Sequence, residues 1–147
     1  MFTRIVVGTD DSGPARAAVR TAGEIARCSG GEPVHVVCGY HPISEHELAH
    51  LARGLPEEFR TGLTADETGA AIGSVAERTL NAMGVDADVH VVSAGAAEAI
   101  LDVADEVDAD LIVVGSRGHG VGRRLLHGSV STKVVHHATC AVLVVPG

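Results

Sequence analysis

Two kinds of hydrophobic spacing alternate along the chain. Short, nearly continuous apolar runs recur at "RIVVGTD" (Arg4–Asp10), "PVHVVCGY" (Pro33–Tyr40), "DADVHVVSAG" (Asp86–Gly95), "DADLIVVGS" (Asp108–Ser116) and "CAVLVVPG" (Cys140–Gly147). Each is rich in β-branched residues and bounded by turn formers, which predicts a strand. Between them the apolar positions take helical spacing. Ala15, Ala18, Val19, Ala22, Ile25 and Ala26 share one face of a helix that Pro14 suits at its first turn and Gly30–Gly31 at its stop. Three more helices are predicted over Asp66–Gly84, Ala96–Val107 and Ser129–Ala138. The order β-α-β-α-β-α-β-α-β predicts one α/β domain, residues 1–147, built on a doubly wound five-stranded parallel sheet with helices on both faces. Strands buried on both faces account for runs such as "LIVV" and "AVLVV". The expected strand order is 3-2-1-4-5. One irregular stretch, His41–Ala65, interrupts the alternation.

Composition narrows this picture. The chain is 46% hydrophobic but only 2% aromatic, so the core must be Val, Ile, Leu and Ala. No apolar run approaches the roughly 20 residues that span a bilayer. The start, "MFTRIVVGTDD", lacks the order of a signal peptide. Three widely spaced cysteines (Cys28, Cys38, Cys140) suit a reduced, cytoplasmic protein with thiols as small core residues. A net charge of −8 argues against nucleic-acid or membrane-surface partners.

The charge is unevenly spread. All 19 acids lie in the first 110 residues, against seven bases, a balance of −12. From Leu111 to Gly147 there is no acid and there are four bases, Arg117, Arg123, Arg124 and Lys133. Within this run lies "GSRGHGVGRRLLHGSVS" (Gly115–Ser131), in which five of seventeen residues are glycine. In open parallel sheets ligands bind beyond the carboxyl ends of strands where the winding reverses. In the order 3-2-1-4-5 that point lies between strand one, ending at Asp10–Asp11, and strand four, ending at Gly115. Gly115, Gly118 and Gly128 permit left-handed or closely approached backbone, and successive N–H groups there form an anion cradle. The loop leads into a helix at Ser129, whose N-terminus favours phosphate. Ser129 and Ser131 add hydroxyl donors.

The spacing Gly115-x2-Gly118-x9-Gly128-Ser129 resembles the ATP-binding motif of universal stress proteins, G-x2-G-x9-G-[S/T]. "RIVVGTDDS", "AAEAILDVADEVDADLIVVGSRG" and "TCAVLVVPG" resemble the family's segments around it, so the likeness covers all but His41–Ala65. The resemblance implies an adenine-nucleotide α-hydrolase-like fold that binds ATP with Mg²⁺ and forms homodimers through the C-terminal strand. It implies that Asp10 lies near the adenosine moiety. Val114, Gly115, Gly118, Gly128, Ser129, Val130 and Ser131 take the phosphate- and ribose-binding positions, and Gly39 offers backbone to adenine. Asp11 departs from the pattern, since relatives often carry a single acid followed by glycine; it adds negative charge near the site.

Other motifs carry less. "HELAH" (His46–His50) spells the zinc-protease H-E-x-x-H, but it sits in the irregular stretch, away from the strand ends, and a His- and Glu-rich composition produces it by chance. Asp10–Asp11 suggest a phospho-acceptor receiver, but strand three lacks the required terminal aspartate and the one lysine, Lys133, lies in a helix. His136–His137 suit a helix C-terminus, Cys140 core packing and Gly8 close packing. With no nucleophile–base pair in the glycine-rich stretch, no catalytic residue and no metal site is assigned. The expectation is an ATP-binding stress-response regulator with slow or no turnover. The alternative is an ATP-hydrolysing or phosphoryl- or nucleotidyl-transferring enzyme of the same fold.

Overall fold

The computed structural model describes residues 1–30, 32–40, 65–116 and 128–147. Its elements are β1 (Ile5–Gly8), α1 (Gly13–Ser29), β2 (Val34–Gly39), α2 (Ala65–Ala82), β3 (Ala87–Val92), α3 (Ala96–Glu106), β4 (Leu111–Gly115), α4 (Ser129–His137) and β5 (Ala141–Val145). The sheet order is β3-β2-β1-β4-β5, and every pairing is parallel. β1 is central, with Val6 in register with His35 on one side and Ile112 on the other. The order and the alternation are those the hydrophobic pattern predicts.

Strand alternation sorts the core into two layers. Ile5 and Val7 of β1, Val34, Val36 and Cys38 of β2, and Leu111 and Val113 of β4 face α1 and α2, where Leu80 is fully buried. Val6, Val37, Ile112 and Val114 face α3 and α4, against Ile100, Val103 and Val134. All the large side chains in both layers are aliphatic, as the composition requires.

Local signals fix the helix ends. The Ser12 hydroxyl caps α1 by accepting from the Ala15 N–H at 3.4 Å, and Pro14 occupies the first turn. Gly30 closes the helix in the left-handed conformation, φ 82°, its N–H donating to the Ala26 carbonyl. Gly8 serves close packing, because a Cβ there would collide with Ile100. The thiols differ from expectation. Cys38 is buried and Cys140 half-buried, but Cys28 is exposed. At about 100° per residue, Cys28 is rotated roughly 200° from Ala26, off the buried stripe of α1. No described helix is long and apolar enough to cross a membrane.

Candidate nucleotide site

A cavity of about 330 Å³ opens at the carboxyl ends of β1, β2 and β4. Its floor is Gly8 to Asp10, Val37 to Tyr40, and Val114 with Gly115. Its walls are the N-terminal turns of the four described helices: Ser12 and Ala15 of α1, Thr68, Gly69 and Ile72 of α2, Ala96 and Ile100 of α3, and Val130 of α4. This convergence follows from right-handed crossovers in a parallel sheet, which send every helix away from the same edge. Four helix N-termini therefore point their partial positive charge toward one space.

The β1–α1 turn is tightly specified. Asp10 Oδ1 accepts the Ser12 N–H at 2.9 Å, an Asx turn that holds the carboxylate at the cavity rim. Asp10 is exposed and is the one charged side chain lining the cavity among the described residues. Asp11 adopts φ 63°, a left-handed conformation, and turns its carboxylate away from the cavity. There Arg16 Nε and a terminal guanidinium nitrogen donate to its two oxygens at 2.8 and 2.9 Å. That pairing lowers the Asp11 pKa, against a smaller upward push from desolvation. The added negative charge expected near the site is thus neutralised beside it.

Cys38 lies in the floor, and burial together with the nearby Asp10 raises its pKa to about 11. It is a neutral packing group at physiological pH and no nucleophile.

Of the residues singled out in the sequence, Asp10, Gly39, Val114, Gly115 and Val130 line the cavity. Gly39 and Gly115 have packing roles as well. A Cβ on Gly39 would lie 2.8 Å from the Ala96 Cα, and one on Gly115 would lie 2.7 Å from the Pro14 carbonyl carbon. Gly128 is the N-cap of α4, at φ −65° and ψ 163°, so the left-handed geometry open to a glycine is not used there. Its N–H donates to the Ser116 carbonyl at 2.7 Å, tying the start of α4 to the end of β4. Ser129 is exposed at the first turn of α4. Ser131 is buried, and its hydroxyl donates to the Gly128 carbonyl at 3.0 Å, which makes it a brace of the turn. Gly118, the three loop arginines and the H-E-x-x-H stretch lie outside the described residues. The pattern of the sequence missed Tyr40 in the floor and the α2 side of the wall, Thr68, Gly69 and Ile72. Gly69 carried a signal: like Gly73 it sits on an amphipathic helix, and it lets α2 approach Val91 of β3 closely.

The universal stress protein family model matches residues 1–146. The chain belongs to the universal stress protein family. Among relatives, a universal stress protein of Synechocystis is 32% identical over 99% of this chain and 87% of its own length. A solved universal stress protein in complex with cAMP is 30% identical, with a TM-score of 0.73 over 98% of this chain and 97% of that one. The Archaeoglobus fulgidus universal stress protein in complex with dAMP is 28% identical, with a TM-score of 0.69 over 98% of each chain. Family membership and the doubly wound fold agree.

Proposed function

We propose that this universal stress protein binds ATP with Mg²⁺ in the cavity at the strand ends and acts as a regulator with slow or no turnover. The observation that carries the reading is the convergence of four helix N-termini on a largely apolar cavity with one acid at its rim. The apolar lining of Val37, Cys38, Ile72 and Ile100 suits a base. Asp10 suits ribose hydroxyls. The start of α4, with Ser129, suits phosphate. Complexes of related structures with cAMP and dAMP support a nucleotide there. Mg²⁺ would travel with the triphosphate, held mainly by its oxygens.

The test is calorimetric titration of nucleotide-stripped protein with MgATP. Ser129→Ala removes one hydrogen bond to a charged group, about 1.5–3 kcal/mol, or on the order of ten- to a hundredfold in affinity. Equal affinity in Ser129→Ala, Gly128→Val and wild type would remove the assigned site. Rapid multiple turnover would favour the enzyme reading instead.

The same reading includes a homodimer. β5 is an edge strand whose Ala141 and Leu143 are exposed, and its own sequence, AVLVV, carries no charged residue. Antiparallel pairing of two copies about a two-fold axis would cover it.

A further inference from the structure

β2 and β3 bring two imidazoles together on the face opposite α1 and α2. Val34, Val36 and Cys38 turn toward those helices, so His35 turns away. In register with it stands Asp88, and His90 stands opposite Val37. His35 Nδ1 is 3.1 Å from His90 Nε2, the ring centroids are 5.3 Å apart and the planes are tilted by 48°. Asp88 Oδ2 lies 3.9 Å from His35 Nδ1. The His35 side chain is 15% exposed and that of Asp88 60%. β3 is the sheet edge, while α3 lies over β2 and β1, so among the described residues no element covers the β3 side of the pair. None of the three residues lines the nucleotide cavity.

One shared hydrogen bond uses a single donor and a single lone pair of the two rings. The spacing also fits another partner. Imidazole nitrogens bind Zn²⁺ at about 2.0–2.1 Å. Two nitrogens 3.1 Å apart then subtend about 95–102° at one ion. That lies between square-planar and tetrahedral angles, the range used by Cu²⁺ and Zn²⁺, both of which imidazole suits. Asp88 and the nearby Glu32 supply negative charge beside the pair.

We propose that His35 and His90 form a two-imidazole clip for a late first-row divalent cation, Cu²⁺ or Zn²⁺, at the β3 edge and separate from the nucleotide site. Among the described residues no three or more His, Cys, Asp or Glu side chains form a ready ligand set. The ion is therefore held by two protein nitrogens with water completing its sphere, an open site of modest affinity. It needs neither nucleotide nor a second copy of the chain.

The test uses the full chain, ¹⁵N-labelled and without nucleotide. Substoichiometric CuCl₂ should broaden the amide signals of Val34–Val37 and Ala87–Val91. The broadening should persist in His46→Gln/His50→Gln, which removes the competing histidine pair, and vanish in His35→Gln/His90→Gln. ZnCl₂ affinity by calorimetry should fall at least tenfold in the latter and two- to fivefold in Asp88→Asn. The single variants His35→Gln and His90→Gln carry the test if the double variant loses its native spectrum. No broadening at β2 and β3 in wild type, or unchanged broadening there without the two imidazoles, overturns the proposal.

Discussion

Gly115→Ala separates packing from ligand contact at the centre of the site. A Cβ at this position would stand 2.7 Å from the Pro14 carbonyl carbon, 2.8 Å from its oxygen and 2.9 Å from the Ala15 nitrogen. All three are backbone atoms in the first turn of α1, so no side chain can swing aside. Relief to ordinary contact needs a shift of roughly half an ångström or more between α1 and β4, and overpacking of this kind costs about 1–3 kcal/mol. Gly→Ala also restricts the unfolded chain, which offsets about 0.4–1 kcal/mol. The clash wins, leaving a net loss of about 1–2 kcal/mol. For a chain of this length that lowers Tm by roughly 2–8 °C. Gly13→Ala is the control: it sits at the start of the same helix, at ordinary φ, with nothing within 4 Å of its Cβ. It should be neutral or stabilising by up to about 1 kcal/mol. Both are measured by thermal and urea unfolding of nucleotide-stripped protein followed by circular dichroism. Equal Tm for Gly115→Ala and wild type would refute the packing role and leave ligand contact as the reason for the glycine.

Leu80→Ala empties a fully buried position under α1 and should cost about 2–5 kcal/mol, read from urea midpoints at unchanged m. Asp110 accepts hydrogen bonds from the Thr3 N–H and hydroxyl and from the Arg4 N–H. Partial desolvation raises its pKa, but those bonds together outweigh it and lower the pKa from 3.8. The carboxylate therefore stabilises the fold above that value, and the contribution is lost as pH falls below it. Asp110→Asn should cost about 1 kcal/mol at neutral pH, and its stability should fall less steeply than wild type on acidification below pH 4; parallel Tm–pH curves would contradict this. The Val145 carbonyl accepts from Ser116 on the β4 side, so the polar groups of Val144 face the open edge. Val144→Pro should leave the monomer folded and raise the dissociation constant of the proposed dimer at least tenfold by analytical ultracentrifugation.

The architecture was legible because β1 and β4 are buried on both faces and α1 carries one clean apolar stripe; the equally apolar "AVLVV" departs from that rule, since β5 is an edge strand with Ala141 and Leu143 exposed. Topology then fixed where Asp10, Gly115 and the start of α4 must meet. What stayed hidden depends on three-dimensional partners. Arg16 lies five residues after Asp11, a spacing that gives no helical pair, and it meets the carboxylate only because Asp11 takes a left-handed turn. Ser131 reads as a phosphate donor on spacing alone, yet burial turns its hydroxyl back onto Gly128. Thr68 and Ile72 look like ordinary positions of an amphipathic helix. Only the crossover from β2 to β3 carries the first turns of α2 to the cavity wall. Gly39 reads from the sequence as backbone offered to a ligand, while the tight approach of Ala94 and Ala96 supplies a second reason for it.

The central place of β1 has a consequence for the order of events on the ribosome. Ile5 must pair with Leu111, more than 100 residues away, so one side of the first strand stays open until late in synthesis. β1, β2 and β3 with α1 and α2 can associate early, but the layer facing α1 still lacks Leu111 and Val113 of β4. From Val92, the end of β3, to Gly115, the end of β4, is 23 residues, roughly 1–5 s of translation at 5–20 residues per second. During that interval a nascent chain exposes an unpaired edge and an uncovered apolar face. Chaperone capture should therefore peak while the emerged part of the chain ends between β3 and β4, and release should coincide with the emergence of β4 rather than of β5.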